Sequence, residues 1–138
     1  MSFVIEAARH PAIPPLPRLP AALPRAGVSP EARAALRQLL GDHARALAAA
    51  FRSGADAAAL IAQRAQLADR VLQHIWTACL GEGADAALFA VGGYGRGGLF
   101  PHSDIDLLVL VHDAAAAPHA RALEAMFGCL WDIGLKPG

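Results

Sequence analysis

Residues 92 to 108 read Gly92-Gly93-Tyr94-Gly95-Arg96-Gly97-Gly98-Leu99-Phe100-Pro101-His102-Ser103-Asp104-Ile105-Asp106-Leu107-Leu108, a glycine-rich turn that delivers the chain through two aspartates into an aliphatic run. Just upstream, Ala86 to Val91 is a short apolar stretch ending at the glycine pair, which predicts a buried strand. Asp104 to Val111 predicts a second strand, rich in branched aliphatics. Side chains alternate along a strand, so Asp104 and Asp106 leave the same face. Two anions that close repel unless a cation sits between them. Mg²⁺ suits the position best, because it takes hard oxygen donors from one or two carboxylates and completes its shell with water and phosphate oxygens. The turn offers what phosphates require: the closely spaced Gly92 and Gly93 to expose backbone N–H groups, Arg96 to neutralise charge and Ser103 to donate a hydrogen bond. Together these residues predict a triphosphate held between the turn and a metal.

Two other glycine signatures compete for the same residues. Gly93 to Gly98 satisfies G-x-G-x-x-G after a predicted strand, and Asp113 follows at about the spacing of a dinucleotide-binding acid. That fold needs a crossover helix, a connection of roughly a dozen residues or more. Phe100-Pro101 and the strand beginning at Asp104 leave no room for it. The Walker phosphate loop is excluded by the lack of a Gly-Lys-Ser/Thr.

Working outward, Ser29-Pro30-Glu31 combines an N-cap oxygen, a proline for the first helical position and a first-turn acid. Leu36, Leu39, Leu40, Ala44 and Leu47 follow at near-helical spacing, and Gly54 can end that helix. A second helix is predicted from about Asp56 to Leu80, with Leu60, Ile61, Leu67, Val71, Leu72, Ile75 and Cys79 as its apolar stripe and Gly81 as its stop. Gln63, Arg64, Asp69, Arg70 and Gln73 fall largely on the opposite face and read as solvated; His43 and His74 read as edge-of-core residues. Pro11 to Pro24 is proline-rich and reads as an extended leader or spacer. A last helix is expected from near Pro118, carrying Leu123, Met126, Phe127, Leu130 and Trp131 inward.

Composition narrows the function classes. The 138 residues are 55% hydrophobic and balance 12 basic against 12 acidic side chains, with a pI near 7.0, so the electrostatic footprint of a nucleic-acid binder is absent. Mean hydropathy is +0.36, but charged or polar residues interrupt every apolar stretch well before the roughly 18–20 residues of a membrane span. The N-terminus lacks the order of a secretory signal, so a cytoplasmic location is expected. Cys79 and Cys129 stand apart from any metal-ligand spacing and read as core residues.

The glycine turn together with Leu99 to Leu108 closely resembles the nucleotidyltransferase motif of the bacterial PII uridylyltransferase/uridylyl-removing enzymes. The wider superfamily with the DNA polymerase beta-like fold shares only the glycine pair and the Asp-x-Asp; Tyr94, Arg96 and Pro101-His102-Ser103 narrow the match. Trp131 to Leu135 is similar to the stretch after the next helix in that family, so the resemblance covers Leu88 to Gly138 well and the helical hairpin only generally. It implies a truncated polymerase beta-like core with a short mixed sheet over 83–138, which, with the proline-rich leader over 1–27 and the helical hairpin over 28–82 read from the residues, makes an α+β chain. It also implies Mg²⁺-dependent transfer of UMP from UTP to a tyrosine of the nitrogen-regulatory protein PII. In that transfer Asp104 and Asp106 act as catalytic metal ligands, the Gly92-Gly93 turn and Ser103 hold the triphosphate, and Arg96 assists. The family's phosphohydrolase and glutamine-sensing domains have no counterpart here. A third carboxylate, on a later strand in the superfamily, is expected beyond Gly138, which predicts little activity for the chain alone. Gly98 departs from the family, which usually has Glu there. Two alternatives stay open: another polymerase beta-like transferase, and a non-catalytic nucleotide-binding fragment.

Overall fold

Ser29 opens the first helix as its sequence predicts: its side-chain oxygen accepts the N–H of Ala32 at 3.2 Å, and Pro30 takes the first position of α1, Pro30–Arg52. The structure, a computed structural model, describes residues 11–21, 23, 27–112 and 116–138. The first ten residues, Pro24, and the Asp113 invoked by the dinucleotide reading lie outside them. Asp56 caps α2, Ala57–Leu80, by accepting the N–H of Ala59 at 2.9 Å, and Gly81 ends it in a left-handed conformation, φ 79°. β1 (Ala86–Ala90) follows, then one helical turn, α3 (Gly92–Gly95), then β2 (Leu107–Val111) and α4 (Ala116–Ile133). No helix among the described residues is long and apolar enough to cross a membrane.

The expected hairpin forms, and α4 packs against both of its helices. Leu36 of α1, Leu67, Val71 and Ile75 of α2, and Met126, Cys129 and Leu130 of α4 are at most 2% exposed and make one core. Trp131, expected to point inward, is 57% exposed. The 3.6-residue period explains the correction, because Met126, Cys129, Leu130 and Ile133 already fill the inward stripe. Both cysteines are free thiols in or beside the core, and burial pushes Cys129 up to about 11.

β1 and β2 pair antiparallel in the register Ala86↔Val111 through Ala90↔Leu107. The regular strand starts three residues later than predicted, at Leu107, and the sheet among the described residues is two-stranded and antiparallel rather than mixed; the parallel element is confined to an isolated bridge from Ile105 to Pro137. The strand expected to be buried over Ala86 to Val91 is not: Leu88 and Leu107 face the core, while Phe89, Leu108 and Leu110 are exposed, because the pair is covered on one face only among the described residues.

The proline-rich leader is docked rather than free. Ala12, Pro15, Arg18 and Ala21 are exposed while Ile13, Leu16 and Leu19 pack inward, a period of three that matches the turn of a polyproline II helix. Pro14 and Pro17 cannot donate, but their carbonyls accept hydrogen bonds from Gln63 Nε2 at 2.6 Å and from Arg70 at 3.4 Å. Two members of the supposedly solvated face of α2 therefore hold the leader.

His43 of α1 is 6% exposed and its Nε2 has no partner among the described residues. Burial, and then the Arg64 charge, lowers its pKa from the ordinary 6.5, so the unfolded chain binds a proton that the folded chain resists. Stability is expected to be complete above pH 6.5 and to fall as the pH drops below it, and His43→Gln should flatten that fall; urea denaturation across pH tests this. Leu130→Ala, at a fully buried position, should cost about 2–5 kcal/mol in the same measurement, against about 1 kcal/mol for Leu16→Ala in the leader.

Candidate active site

The turn after β1 is shaped by a close approach. The Val91 N–H donates to Asp106 O at 2.9 Å, extending the β1–β2 ladder by one pair. Gly92 then turns left-handed, φ 59°, and a Cβ there would lie 2.3 Å from Asp106 Oδ2. Only glycine lets the backbone pass so near that carboxylate. Gly95 is constrained similarly, since a Cβ would lie 2.6 Å from the Ala90 carbonyl oxygen. Gly95 N–H bonds Val91 O at 2.7 Å, and the N–H groups of Arg96 and Gly98 both donate to Gly93 O. As the first residues of a helical turn, Gly92 and Gly93 have no i−4 carbonyl in the turn to donate to.

Tyr94 is buried, and its hydroxyl donates to Asp69 Oδ1 of α2. Burial, and then the accepting Asp69 carboxylate, pushes its phenol far above the ordinary range. The side chain braces the turn against the hairpin rather than offering a ring to a nucleobase. Asp69 is the residue that sequence reasoning missed; its only signal was its place in the polar face of α2 beside a buried tyrosine.

Asp104, Ile105 and Asp106 alternate as predicted. Ile105 is 1% exposed, its N–H donates to Lys136 O at 2.8 Å, and its carbonyl accepts from Gly138 N–H at 3.0 Å. With Ile105 pointing into the core, both aspartates point away from it. A Cβ on Gly138 would lie 3.2 Å from Asp106 Oδ1 and 3.4 Å from Asp104 Cβ, so the two flank one point of the neighbouring segment. Before them His102, φ 67°, makes a tight turn in which Ser103 N–H donates to Phe100 O at 3.1 Å.

A cleft of about 390 Å³ collects Gly93, Arg96, Gly98, Ser103, Asp104 and Asp106, with Tyr94 and Phe100 completing its wall. Five of the six sequence-predicted site residues thus share one cavity, and the sixth, Gly92, backs the carboxylate of Asp106. Arg96 and Ser103 are exposed, and Arg96 has no carboxylate partner among the described residues. The oxygen donors present suit a hard divalent cation whose remaining positions go to water and phosphate oxygens. Among the described residues no group of three or more His, Cys, Asp or Glu forms a ready-made metal cluster. Of the remaining histidines, His102 serves the turn, and His112 N–H donates to Asp85 O at 3.0 Å at the end of β2. Phe127 is half-buried against the core, as expected.

Glycine is required at residue 92 and not at 98, where a Cβ would make only ordinary contacts at 3.7 and 3.8 Å. Gly92→Ala should destabilise by about 1–3 kcal/mol and displace Asp106, whereas Gly98→Ala should stay within about 1 kcal/mol of the parent. Tyr94→Phe should cost about 1 kcal/mol. Chemical denaturation of the three variants checks all of these.

The family described as "Nucleotidyltransferase domain" matches residues 72–136. The chain is 44% identical over 118 residues to a bifunctional uridylyltransferase/uridylyl-removing enzyme of Xanthomonas campestris pv. campestris (strain 8004), covering 84% of this chain and 14% of that protein. Proteins of the same name from Methylococcus capsulatus (strain ATCC 33009 / NCIMB 11132 / Bath) and Pseudomonas putida (strain W619) are 50% identical over 93 residues and 51% identical over 89. These alignments cover 67% and 64% of this chain, and 11% and 10% of the relatives. No solved structure gives a significant match. Residues 72–136 accordingly match the nucleotidyltransferase family, within a chain that is similar over most of its length to part of the bifunctional uridylyltransferase/uridylyl-removing enzymes.

Proposed function

We propose that the cleft beneath the glycine turn holds the triphosphate of UTP with Mg²⁺, and that this chain contributes to the transfer of UMP to a tyrosine of the PII regulatory protein. The observation that carries the reading is the meeting of Asp104 and Asp106 with Arg96 and Ser103 around one cleft. The uridylyl donor is supported by the names of the relatives, and the PII acceptor by the resemblance of the motif from Gly92 to Leu108.

In such a transfer the acceptor hydroxyl oxygen forms a bond to the α-phosphorus and gives up its proton to water, the bond from that phosphorus to the bridging oxygen breaks, and pyrophosphate leaves with the bonding electron pair. Mg²⁺, held by Asp104 and Asp106, supplies charge neutralisation for the triphosphate when bound. The chain's own residues then position. Arg96 offsets negative charge on the phosphates, and Ser103 donates a hydrogen bond. The left-handed Gly92 lets the turn lie against Asp106, so phosphate held by the turn sits beside the carboxylates. Nothing in the cleft reads uracil by itself.

Titration calorimetry of the chain with UTP is expected to show Mg²⁺-dependent binding, weakened at least tenfold by Asp106→Asn, by Asp104→Asn, or by removing Mg²⁺. Unchanged affinity in both variants would remove the assigned role of the carboxylates. ATP binding as tightly as UTP would keep the nucleotidyltransferase reading and overturn the uridylyl one. In a protein of the relatives' length carrying this segment, Asp106→Asn should abolish UMP incorporation into PII without lowering the melting temperature.

A further inference from the structure

Among the described residues, a second cavity is larger than the nucleotide cleft. It holds about 500 Å³ and lies between α1 and α2, closed on its inner side by Leu99 and by Ile133 to Leu135. Its charged lining is of one sign: Arg37 and Arg45 from α1 and Arg64 from α2, with no carboxylate among the lining residues. Arg45 is paired with Asp42 of its own helix, while Arg37 and Arg64 have no ion-pair partner among the described residues. Two buried nitrogens beside this cavity, Arg64 Nε and His43 Nε2, lack a hydrogen-bond partner among the described residues, and His43 is only 6% exposed. An unpaired buried donor is costly. The reading of Arg64 as a surface residue therefore fails, because α2 is surrounded by α1, α4, the leader and the sheet, and its polar positions are not all free to face water.

We propose that this cavity is a second site, an oxyanion site that takes a small phosphate or dicarboxylate between Arg64 and His43. A guanidinium offers paired donors to planar or tetrahedral oxyanions, and an imidazole beside it donates through Nε2. The anion would supply the counter-charge the lining lacks and, as the two side chains turn to meet it, the missing partners for both nitrogens. The site shares Leu99 with the end of the glycine turn, and Leu135 directly precedes the residue whose carbonyl holds Ile105. It sits behind the nucleotide cleft, on the elements that aim the aspartates.

The test uses the 138-residue chain in Mg²⁺-free buffer at constant ionic strength, with inorganic phosphate and succinate as separate probes and sodium chloride as the control. At about ten times its dissociation constant the fitting anion should raise the melting temperature by about 4–6 °C, and Arg64→Gln should abolish the rise. The imidazole signals of His43 should move on the same titration while those of His74, outside this cavity, stay fixed. Phosphate alone giving the response identifies a phosphate seat, and succinate alone a dicarboxylate seat. Arg96→Gln should leave the response intact. No response to either anion, an equal response to chloride, or a response lost in Arg96→Gln but kept in Arg64→Gln would overturn the proposal. Because the His43 signals are read in the unaltered chain, the test does not depend on how well the variant folds.

Discussion

The backbone of Gly92 occupies space that any side chain would contest with the Asp106 carboxylate. That single approach joins the two halves of the candidate site. The turn cannot swing away without losing the ladder bond between Val91 and Asp106, and Asp106 cannot turn without vacating the wall against which the turn rests. The glycine turn and the two carboxylates are therefore one preorganised unit, as the proposed nucleotidyl transfer would demand.

α2 organises what surrounds that unit. Its apolar stripe builds the core, while its polar side does structural work that amphipathic patterning does not anticipate. Gln63 and Arg70 hold carbonyls of a leader that has few donors of its own, Asp69 receives the hydroxyl that braces the turn, and Arg64 enters the basic cavity. The family match begins at Leu72, within this helix, so the region that supports the turn extends upstream of the segment defined by the match.

Most of the fold is legible in sequence wherever one local rule dominates. The caps at Ser29 and Asp56, the stop at Gly81 and the apolar stripes of both long helices follow from side-chain oxygen chemistry and the helical period. The Asp-Ile-Asp alternation follows from the pleat. Less was legible where an element is surrounded on several sides. Trp131 stands at helical spacing from Phe127 and reads as inward, yet Met126, Cys129, Leu130 and Ile133 already fill the buried stripe. The Tyr94 to Asp69 bond spans 25 residues between elements whose docking no local pattern specifies. The leader's three-residue burial period is visible in Ile13, Leu16 and Leu19 once the partner helix is known; proline content alone reads as a spacer.

Ile105 brings a practical ambiguity. It is a hydrophobic residue, withdrawn from solvent and clamped through both its backbone groups, and the directions of its two acidic neighbours are set by how well it is seated. Trimming or enlarging this side chain would tilt the carboxylates without removing either oxygen pair. A lesion there would look, in any kinetic screen, like damage to the chemistry itself, although the altered atoms never meet a nucleotide.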